Sequence, residues 1–206
     1  MWCAYCGITA KTRDGLCTAC LCKAVDFATG HMGSIEVNER KASVYSLYDY
    51  QGIIRQLILA AKIGRDPLAL KAVTGLLVRC VAVDAIIRWA DCLIPVASSF
   101  SGRLKSQYDL PAHWAWYFGK YERVQIGSAP LPFLLQKGKY RPRLKQWLLR
   151  LPGMRGAVPS HCRKVLLLDD VVTTGRTLSN TIRTLGDEVE TRCLVLSASR
   201  SFVKKY

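Results

Sequence analysis

The pattern of apolar and polar residues predicts a strand and then a helix from about residue 42 onward. A strand is predicted by the aromatic and β-branched content of "ASVYSLYDY", which begins at Ala42. A helix is predicted next by the helical spacing of apolar residues in "GIIRQLILAAKIG", and it is expected to end near Gly64. Its buried face is expected to consist of Ile53, Ile54, Leu57, Ile58 and Ala61.

A second helical stretch and a short strand follow in the pattern. Apolar positions recur at helical spacing from Pro67 to Trp89, with Asp66 as the N-cap and Pro67 at the first helical position. Gly75 lies inside this run, at a position where a helix can break. A short buried strand is then predicted by the continuous apolar run in "DCLIPVA".

The second half of the chain repeats this alternation. A buried strand is predicted at "KVLLLDD", a helix ending at Gly186 at "GRTLSNTIRTLG", and a final strand at "ETRCLVLSA". Strands separated by helices indicate an α/β fold with a mostly parallel twisted sheet and helices on both faces. In such sheets, ligands bind beyond the carboxyl ends of the strands, where the loops diverge.

Four of the nine cysteines form two CxxC pairs near the N-terminus. Cys3 and Cys6 form the first pair, and Cys17 and Cys20 form the second. In a cytosolic chain such pairs more often hold structural zinc than form disulfides or redox centres, because four thiolates close a tetrahedral site. Cys22 is an alternative to Cys20, although the CxxC spacing favours Cys20.

The chain is expected to have three parts. Residues 1–24, here called the cysteine knuckle, are too few to bury a core, so the metal would supply their folding energy. Residues 25–41 mix Gly, Ser, Thr and charged residues with little periodicity and are predicted to be a linker. Residues 42–206 would form the main domain, which suits a chain of 206 residues that is 50% hydrophobic.

The charge of the chain indicates anionic partners, and its hydropathy argues against a membrane partner. The net charge is +15, and no acidic residue lies between Glu122 and Asp169, where ten lysines and arginines occur. Such a field attracts phosphorylated metabolites, pyrophosphate or nucleic acid alike. Neither a membrane span nor a secretory signal is recognisable, so we expect a cytoplasmic protein without a membrane partner.

The stretch with the most chemical information is "LLLDDVVTTGRTL", from Leu166 to Leu178. Its leucines bury a strand and bring Asp169 and Asp170 to the rim of the sheet. The following turn combines threonine hydroxyls, backbone N–H groups and the positive end of a helix, which together suit a phosphate monoester. Carboxylates nearby suit a sugar diol, directly or through magnesium, so the predicted ligand is a phosphorylated ribose.

This stretch has two other interpretations. An apolar strand ending in two aspartates also occurs in P-loop ATPases, but the GxxxxGK[ST] loop that they require is absent from the sequence. Alternatively, Asp170 or Thr174 could serve only as a helix cap. A cap needs one such residue, whereas this segment has two acids, three threonines and a glycine in order, which favours a ligand site.

The segment "VLLLDDVVTTGRTL" resembles the phosphoribosyl pyrophosphate signature of type I phosphoribosyltransferases. The order of cysteine knuckle, "YDYQGIIRQLILAAKIG", "LIPVASS", a basic loop, the signature and a last strand is similar to the competence-associated ComF/GntX-type phosphoribosyltransferase family. The resemblance implies a type I phosphoribosyltransferase fold with structural zinc in the knuckle. It also implies phosphoribosyl pyrophosphate as ligand, with magnesium, and transfer of phosphoribose to a base, an amine or a nucleic acid.

The resemblance also implies roles for individual residues. Asp169 and Asp170 would hold the ribose hydroxyls, and Lys62 falls where the family has a lysine after its first helix. The 5′-phosphate would be bound by Val172, Thr173, Thr174, Gly175, Arg176 and Thr177. The loop that contacts pyrophosphate would consist of Val96, Ala97, Ser98 and Ser99. The leaving pyrophosphate would be stabilised by Arg103, Lys137 and Lys139. The sequence departs from the family at "PVASSFSGRLKSQYDL", where only Arg103 remains of an expected Arg-Gly-Phe-Asn element.

A non-catalytic role is the alternative. The same pocket could sense a nucleotide in a protein that binds single-stranded DNA or RNA and accompanies a nucleic-acid-processing complex, in DNA uptake or in retron-type phage defence. Between residues 114 and 121, five aromatic residues could stack bases, although their helical spacing is more typical of a core. They are Trp114, Trp116, Tyr117, Phe118 and Tyr121.

Overall fold

The structure is a computed structural model that describes residues 1–96, 109–122, 125–126, 158, 161–185 and 188–204. The strands in these ranges are β1 (Thr12–Arg13), β2 (Leu16–Cys17), β3 (Ala28–Val37), β4 (Arg40–Asp49), β5 (Cys92–Pro95), β6 (Gln125–Ile126), β7 (Lys164–Val172) and β8 (Glu190–Ala198). The helices are α1 (Thr18–Val25), α2 (Gly52–Lys62), α3 (Pro67–Val78), α4 (Val81–Trp89), α5 (Leu110–Glu122), α6 (Arg176–Thr184) and α7 (Arg200–Val203). None of the helices in these ranges is both long and apolar enough to cross a bilayer.

The main sheet has the strand order β3-β4-β8-β7-β5-β6 among the described residues. Strand β3 pairs antiparallel with β4, and every other pair of neighbours in this sheet is parallel. Helices lie between β4 and β5, between β5 and β6, and between β7 and β8 along the chain, as expected for crossover connections. The predicted α/β class with a mostly parallel sheet is therefore confirmed.

Helices cover both faces of this sheet. Along β7, Leu166 and Leu168 pack into a cluster with α2, α3, α4 and α5, and we call this side the α2 face. Val165 and Leu167 point the other way and pack with α6 and α7, on what we call the α6 face. Because both faces of β7 are buried, its sequence is a continuous apolar run rather than an alternation.

The predicted strand and helices between residues 42 and 89 are present. The five residues predicted for the buried face of α2 are its five buried residues. Asp66 caps α3, its Oδ1 accepting the N–H of Leu68 at 2.8 Å, with Pro67 at the first helical position. The break between α3 and α4 comes at Arg79 and Cys80 rather than at Gly75. Gly75 stays helical, and its lack of a side chain leaves room for the cysteine knuckle.

The contact of the knuckle with α3 explains this glycine. A Cβ atom on Gly75 would lie 2.4 Å from the Cβ of Asp14, in the turn between β1 and β2. Asp14 also forms an ion pair with Arg79 at the end of α3. Leu16 of the knuckle belongs to the same hydrophobic cluster as Leu76 of α3. The knuckle therefore shares the core of the main domain.

The segment predicted to be a linker, residues 25–41, is largely strand. It contains β3 and the first residues of β4, and β3 forms the edge of the main sheet. Strand β3 was not predicted because Ile35 and Val37 are its only buried residues. The alternation of apolar and polar residues along it is therefore too short to indicate a strand. Exposed Met32 and Gly30, with its positive φ, interrupt the pattern further.

The aromatic residues of α5 divide between core and surface. Trp114 and Phe118 are buried on the α2 face, and Trp114 Nε1 donates a hydrogen bond to Thr74 Oγ1 at 3.2 Å. Trp116 is 56% exposed, and the Lys120 ammonium lies 5.3 Å from its ring centroid. For Trp114 and Phe118 the core interpretation therefore holds.

Candidate functional site

The four cysteines predicted to bind zinc lie together. The sulfurs of Cys3, Cys6, Cys17 and Cys20 all lie within 4.8 Å of one another. Four sulfurs at about 2.3 Å from a central ion in a tetrahedron are about 3.8 Å apart, and the Cys6 and Cys17 sulfurs are separated by 3.8 Å. Cys22, the alternative ligand, is exposed and stands outside this group. The cluster is compatible with structural zinc.

Local backbone structure brings these sulfurs together. Cys3 and Cys6 flank a tight turn in which the N–H of Gly7 donates to the carbonyl of Cys3 at 3.0 Å. Cys17 ends β2, and its N–H donates to the Cys3 sulfur at 3.4 Å. Cys20 lies in the first turn of α1, directly after that strand. The knuckle is thus two short turns that place their thiols around one point.

The pKa values of the thiols also favour binding of a cation between the four cysteines. Burial raises the pKa of Cys3, but backbone N–H groups of Cys6, Cys17 and Tyr5 outweigh it and lower the pKa to about 6. In Cys20, burial and then the neighbouring thiols raise the pKa. Adjacent thiolates repel one another, so the full set ionises readily only around a positive ion.

The second site lies at the carboxyl end of β7. Asp170 is buried, with 3% of its surface exposed, and Asp169 is half-buried. The backbone N–H of Asp170 donates to Asp169 Oδ1 at 2.8 Å, which fixes the Asp169 carboxyl at the rim. The two carboxylates therefore stand at the end of a central parallel strand, where this kind of sheet binds ligands.

Lys62, the last residue of α2, meets this pair from the α2 face. Its Nζ lies 2.5 Å from Asp170 Oδ2. The Lys62 side chain is 34% exposed, whereas that of Asp170 is 4% exposed. The ammonium is thus the outer member of the ion pair and the carboxylate is the inner one.

The charges of the group perturb one another. Burial raises the pKa of Asp169 well above its usual range, and the negative charge of Asp170 raises it further. Burial lowers the pKa of Lys62, but the Asp170 and Asp169 carboxylates and Asp109 at the start of α5 outweigh burial and raise it. Neighbouring charges that shift each other's pKa in this way are typical of binding sites.

The turn after β7, here called the cradle, contains the residues predicted to bind the 5′-phosphate. Thr173, Thr174 and Arg176 are exposed, and Thr177 is partly exposed in the first turn of α6. Gly175 has a φ of 71°, and a Cβ there would lie 3.0 Å from Ile35 Cδ1, so glycine is required. The N–H of Arg176 donates to Thr174 Oγ1 at 3.4 Å, and the first turn of α6 has no acidic residue, so the start of this helix is compatible with an anion.

A pair of serines that sequence reasoning missed supports this turn. Ser199 Oγ donates to the carbonyl of Thr173 at 3.0 Å, and its backbone N–H donates to that of Val172 at 2.9 Å. Ser201 Oγ lies 2.8 Å from Ser199 Oγ. The signal available was the Ser-x-Ser spacing directly after the last strand, since Ser199 also caps α7. These serines therefore hold the backbone at the start of the turn in place.

The other predicted site residues divide into two groups. Val172 and Val96 are buried, so only their backbone atoms can face a ligand, and the N–H of Val96 already donates to Leu168 at 2.8 Å. The rest of the predicted pyrophosphate side lies outside the described residues. This second group comprises Ala97, Ser98, Ser99, Arg103, Lys137 and Lys139.

Comparison with known proteins finds similarity to solved structures. No protein-family model matches the sequence. No curated protein matches it. Solved structures that it resembles include the crystal structure of an orotate phosphoribosyltransferase from Aeropyrum pernix, with 17% identity, a TM-score of 0.42, and coverage of 91% of this chain and 84% of that chain. At this identity and score the similarity assigns no residue a role.

Proposed function

We propose that this chain binds phosphoribosyl pyrophosphate or a related ribose 5-phosphate compound, with magnesium, and transfers the phosphoribosyl group to a base, an amine or a nucleic acid. The observation that carries the proposal is the placement of two carboxylates at the strand end that leads into the cradle. Asp169 and Asp170 stand near the end of β7, and the turn from Thr173 to Thr177 begins after Val171 and Val172. A sugar phosphate offers a diol and a monoester in the same order.

In this proposal the chain contributes binding and orientation. The acceptor attacks the anomeric carbon, the bond from that carbon to the pyrophosphate oxygen breaks, and pyrophosphate leaves with the bonding electrons while the acceptor loses its proton to solvent. Asp169 and Asp170 would hold the ribose hydroxyls, and the Thr173–Thr177 turn would hold the 5′-phosphate. Arg103, Lys137 and Lys139 would face the departing pyrophosphate, whose charge they would stabilise.

Magnesium fits these residues as a companion of the ligand. Among the described residues, the only group of three or more clustered metal-ligating side chains is the four-cysteine cluster. Two carboxylates alone suit magnesium when phosphates of the substrate and water complete its octahedral shell. Magnesium bound to pyrophosphate would neutralise the leaving group, and Asp169 would face it from the protein side.

Exchanging both carboxylates for amides tests the proposal directly. We expect Asp169→Asn, Asp170→Asn to bind ribose 5-phosphate at least about tenfold more weakly than the unchanged protein, because hydrogen bonds to charged groups are lost. Isothermal calorimetry with magnesium measures the difference. Asp84→Asn, an exposed aspartate of α4, is the matched control and should bind normally. Equal binding by the double variant would assign the carboxylates another role.

We propose a nucleic-acid-associated sensor as the second candidate, because the cysteine knuckle exposes aromatic and basic side chains. Trp2 is 64% exposed, Tyr5 is 37% exposed, and Lys11 and Arg13 are exposed beside them in sequence. Aromatic rings with nearby cations suit stacking on the bases of single-stranded DNA or RNA. In this role the chain would bind the sugar phosphate without transfer, as an accessory to a nucleic-acid-processing complex.

Salt dependence tests this second candidate. We expect binding to a single-stranded oligonucleotide to weaken as salt rises, with a slope in log affinity of about 0.7 for each phosphate contact. Trp2→Ala, Tyr5→Ala should lower affinity by about tenfold or more, because stacking on each base is lost. Val81→Ala, which truncates an exposed apolar residue of α4, serves as the control. Fluorescence anisotropy that stays flat from low to physiological salt would contradict the candidate.

A further inference from the structure

The two aspartates at the end of β7 are not equivalent in the structure. Asp170 is buried, and its carboxylate forms an ion pair with Lys62 at 2.5 Å. Asp169 is half-buried, and its Oδ1 accepts a hydrogen bond from the backbone N–H of Asp170. A ligand that approaches this strand end from solvent therefore reaches Asp169 and the Lys62 ammonium before it reaches Asp170.

Lys62 and the anion cradle lie on opposite sides of the sheet. Lys62 ends α2, which packs on the α2 face. Gly175 of the cradle approaches Ile35 and Phe202, both of which belong to the α6 face. The carboxylates of β7 lie between the two. If the 5′-phosphate of phosphoribosyl pyrophosphate occupies the cradle, the anomeric carbon and its pyrophosphate would thus be directed toward Lys62.

We infer that Asp170 is a positioning residue for Lys62, and that Lys62 presents its ammonium to the pyrophosphate of the bound sugar, while Asp169 contacts the ribose hydroxyls. This inference rests on the proposed function and divides the roles that the two aspartates share there. A lysine at the end of a helix has many rotamers, and an ion pair with a buried carboxylate restricts them. The charge is then held in place before the ligand arrives.

The inference predicts a ligand-specific loss. Lys62→Met should weaken binding of phosphoribosyl pyrophosphate by about tenfold or more, because a charge-assisted hydrogen bond to phosphate is removed. Binding of ribose 5-phosphate, which has no pyrophosphate, should change by about twofold or less. Lys62→Arg keeps the charge and should retain most of the affinity for phosphoribosyl pyrophosphate. Lys71→Met, an exposed lysine of α3, is the control.

A double-mutant cycle tests whether Asp170 acts through Lys62. Asp170→Asn alone should weaken phosphoribosyl pyrophosphate binding, whereas in the Lys62→Met background it should add little, because the lysine that it positions is gone. A merely structural Asp170 would lower the affinity for both ligands by similar factors in both backgrounds. Calorimetry with each ligand in the presence of magnesium gives the four affinities, and thermal melts establish that each variant is folded.

The outcomes separate the inference from the proposed function. If the unchanged protein binds neither ligand, the proposed function fails. If it binds both and Lys62→Met loses both equally, or neither, the role of Lys62 is overturned while the proposed function stands. If Lys62→Met does not fold, the cycle is run with Lys62→Gln, and additive effects of Asp170→Asn and Lys62→Gln on phosphoribosyl pyrophosphate overturn the positioning role.

Discussion

Replacing Cys3 and Cys6 by serine is expected to remove zinc from the chain and to unfold the cysteine knuckle. The unchanged protein should carry about one zinc per chain, since four thiolates complete one tetrahedral site. The two substitutions leave two thiols, which cannot hold structural zinc at comparable affinity. Because zinc binding supplies about 10 kcal/mol or more in isolated zinc-finger peptides, its loss outweighs what this short segment gains from its own contacts.

The effect should extend beyond the knuckle. Leu16 and three of the four cysteines share a hydrophobic cluster with α2 and α3, and Asp14 pairs with Arg79. Unfolding the knuckle would expose this side of α3 to water. A loss of about 3 kcal/mol would lower the melting temperature of a chain of this size by about 10 °C. We therefore expect a lower melting temperature for the whole protein.

Metal analysis and thermal melting together check this prediction. Cys22→Ser is the matched control, because Cys22 is exposed and stands outside the four-sulfur group. That variant should keep its zinc and its melting temperature. Zinc content unchanged in Cys3→Ser, Cys6→Ser would remove the metal site, and zinc lost in Cys22→Ser would restore Cys22 as a ligand.

Local sequence patterns predicted the elements whose burial is strong. The three leucines of β7 and the apolar face of α2 are long, continuous signals, and both were predicted correctly. Strand β3 was missed because it lies at the sheet edge, where only Ile35 and Val37 are buried. Its stability comes from pairing with β4, which no property of residues 25–41 alone reveals.

Contacts between distant parts of the chain were beyond these patterns. Lys62 and Asp170 are separated by 108 positions, and their ion pair exists because α2 packs beside the end of β7. The requirement for glycine at position 75 likewise comes from Asp14, in a segment expected to be separate. The cysteine group and the order of aspartates, threonines and glycine were predictable because the chemistry itself fixes their spacing.

Loss of Lys137 and Lys139 is expected to affect turnover far more than binding of the sugar phosphate. Both lysines lie outside the described residues, in the acid-free stretch between Glu122 and Asp169, and their role is part of the proposed function. Charge accumulates on the leaving pyrophosphate as its bond to the ribose breaks. Lysines placed to meet that charge would stabilise the transition state more than the bound ground state.

We expect Lys137→Ala, Lys139→Ala to lower kcat by about 10²-fold or more, by analogy with removal of a preorganised charge-stabilising group. Binding of ribose 5-phosphate should stay within about twofold, because this ligand has no leaving group. Lys41→Ala, Lys71→Ala removes two exposed lysines of β4 and α3 and controls for the change in net charge. Release of pyrophosphate in the presence of magnesium and a panel of bases, amines and nucleic acids gives the rates.

This measurement also decides between transfer and sensing. An enzyme needs both ends of the site, the cradle that follows β7 and the charges that face pyrophosphate, whereas a sensor needs only tight binding. The positions at which the sequence departs from the pattern that it resembles, Ser98, Ser99, Leu104 and Ser106, all belong to the segment proposed for the pyrophosphate end. An unchanged protein that binds phosphoribosyl pyrophosphate tightly, yet releases no pyrophosphate with any acceptor, would overturn the transferase proposal and favour the sensor. In that case Lys137→Ala, Lys139→Ala would be expected to alter only affinity, since no leaving group would ever form.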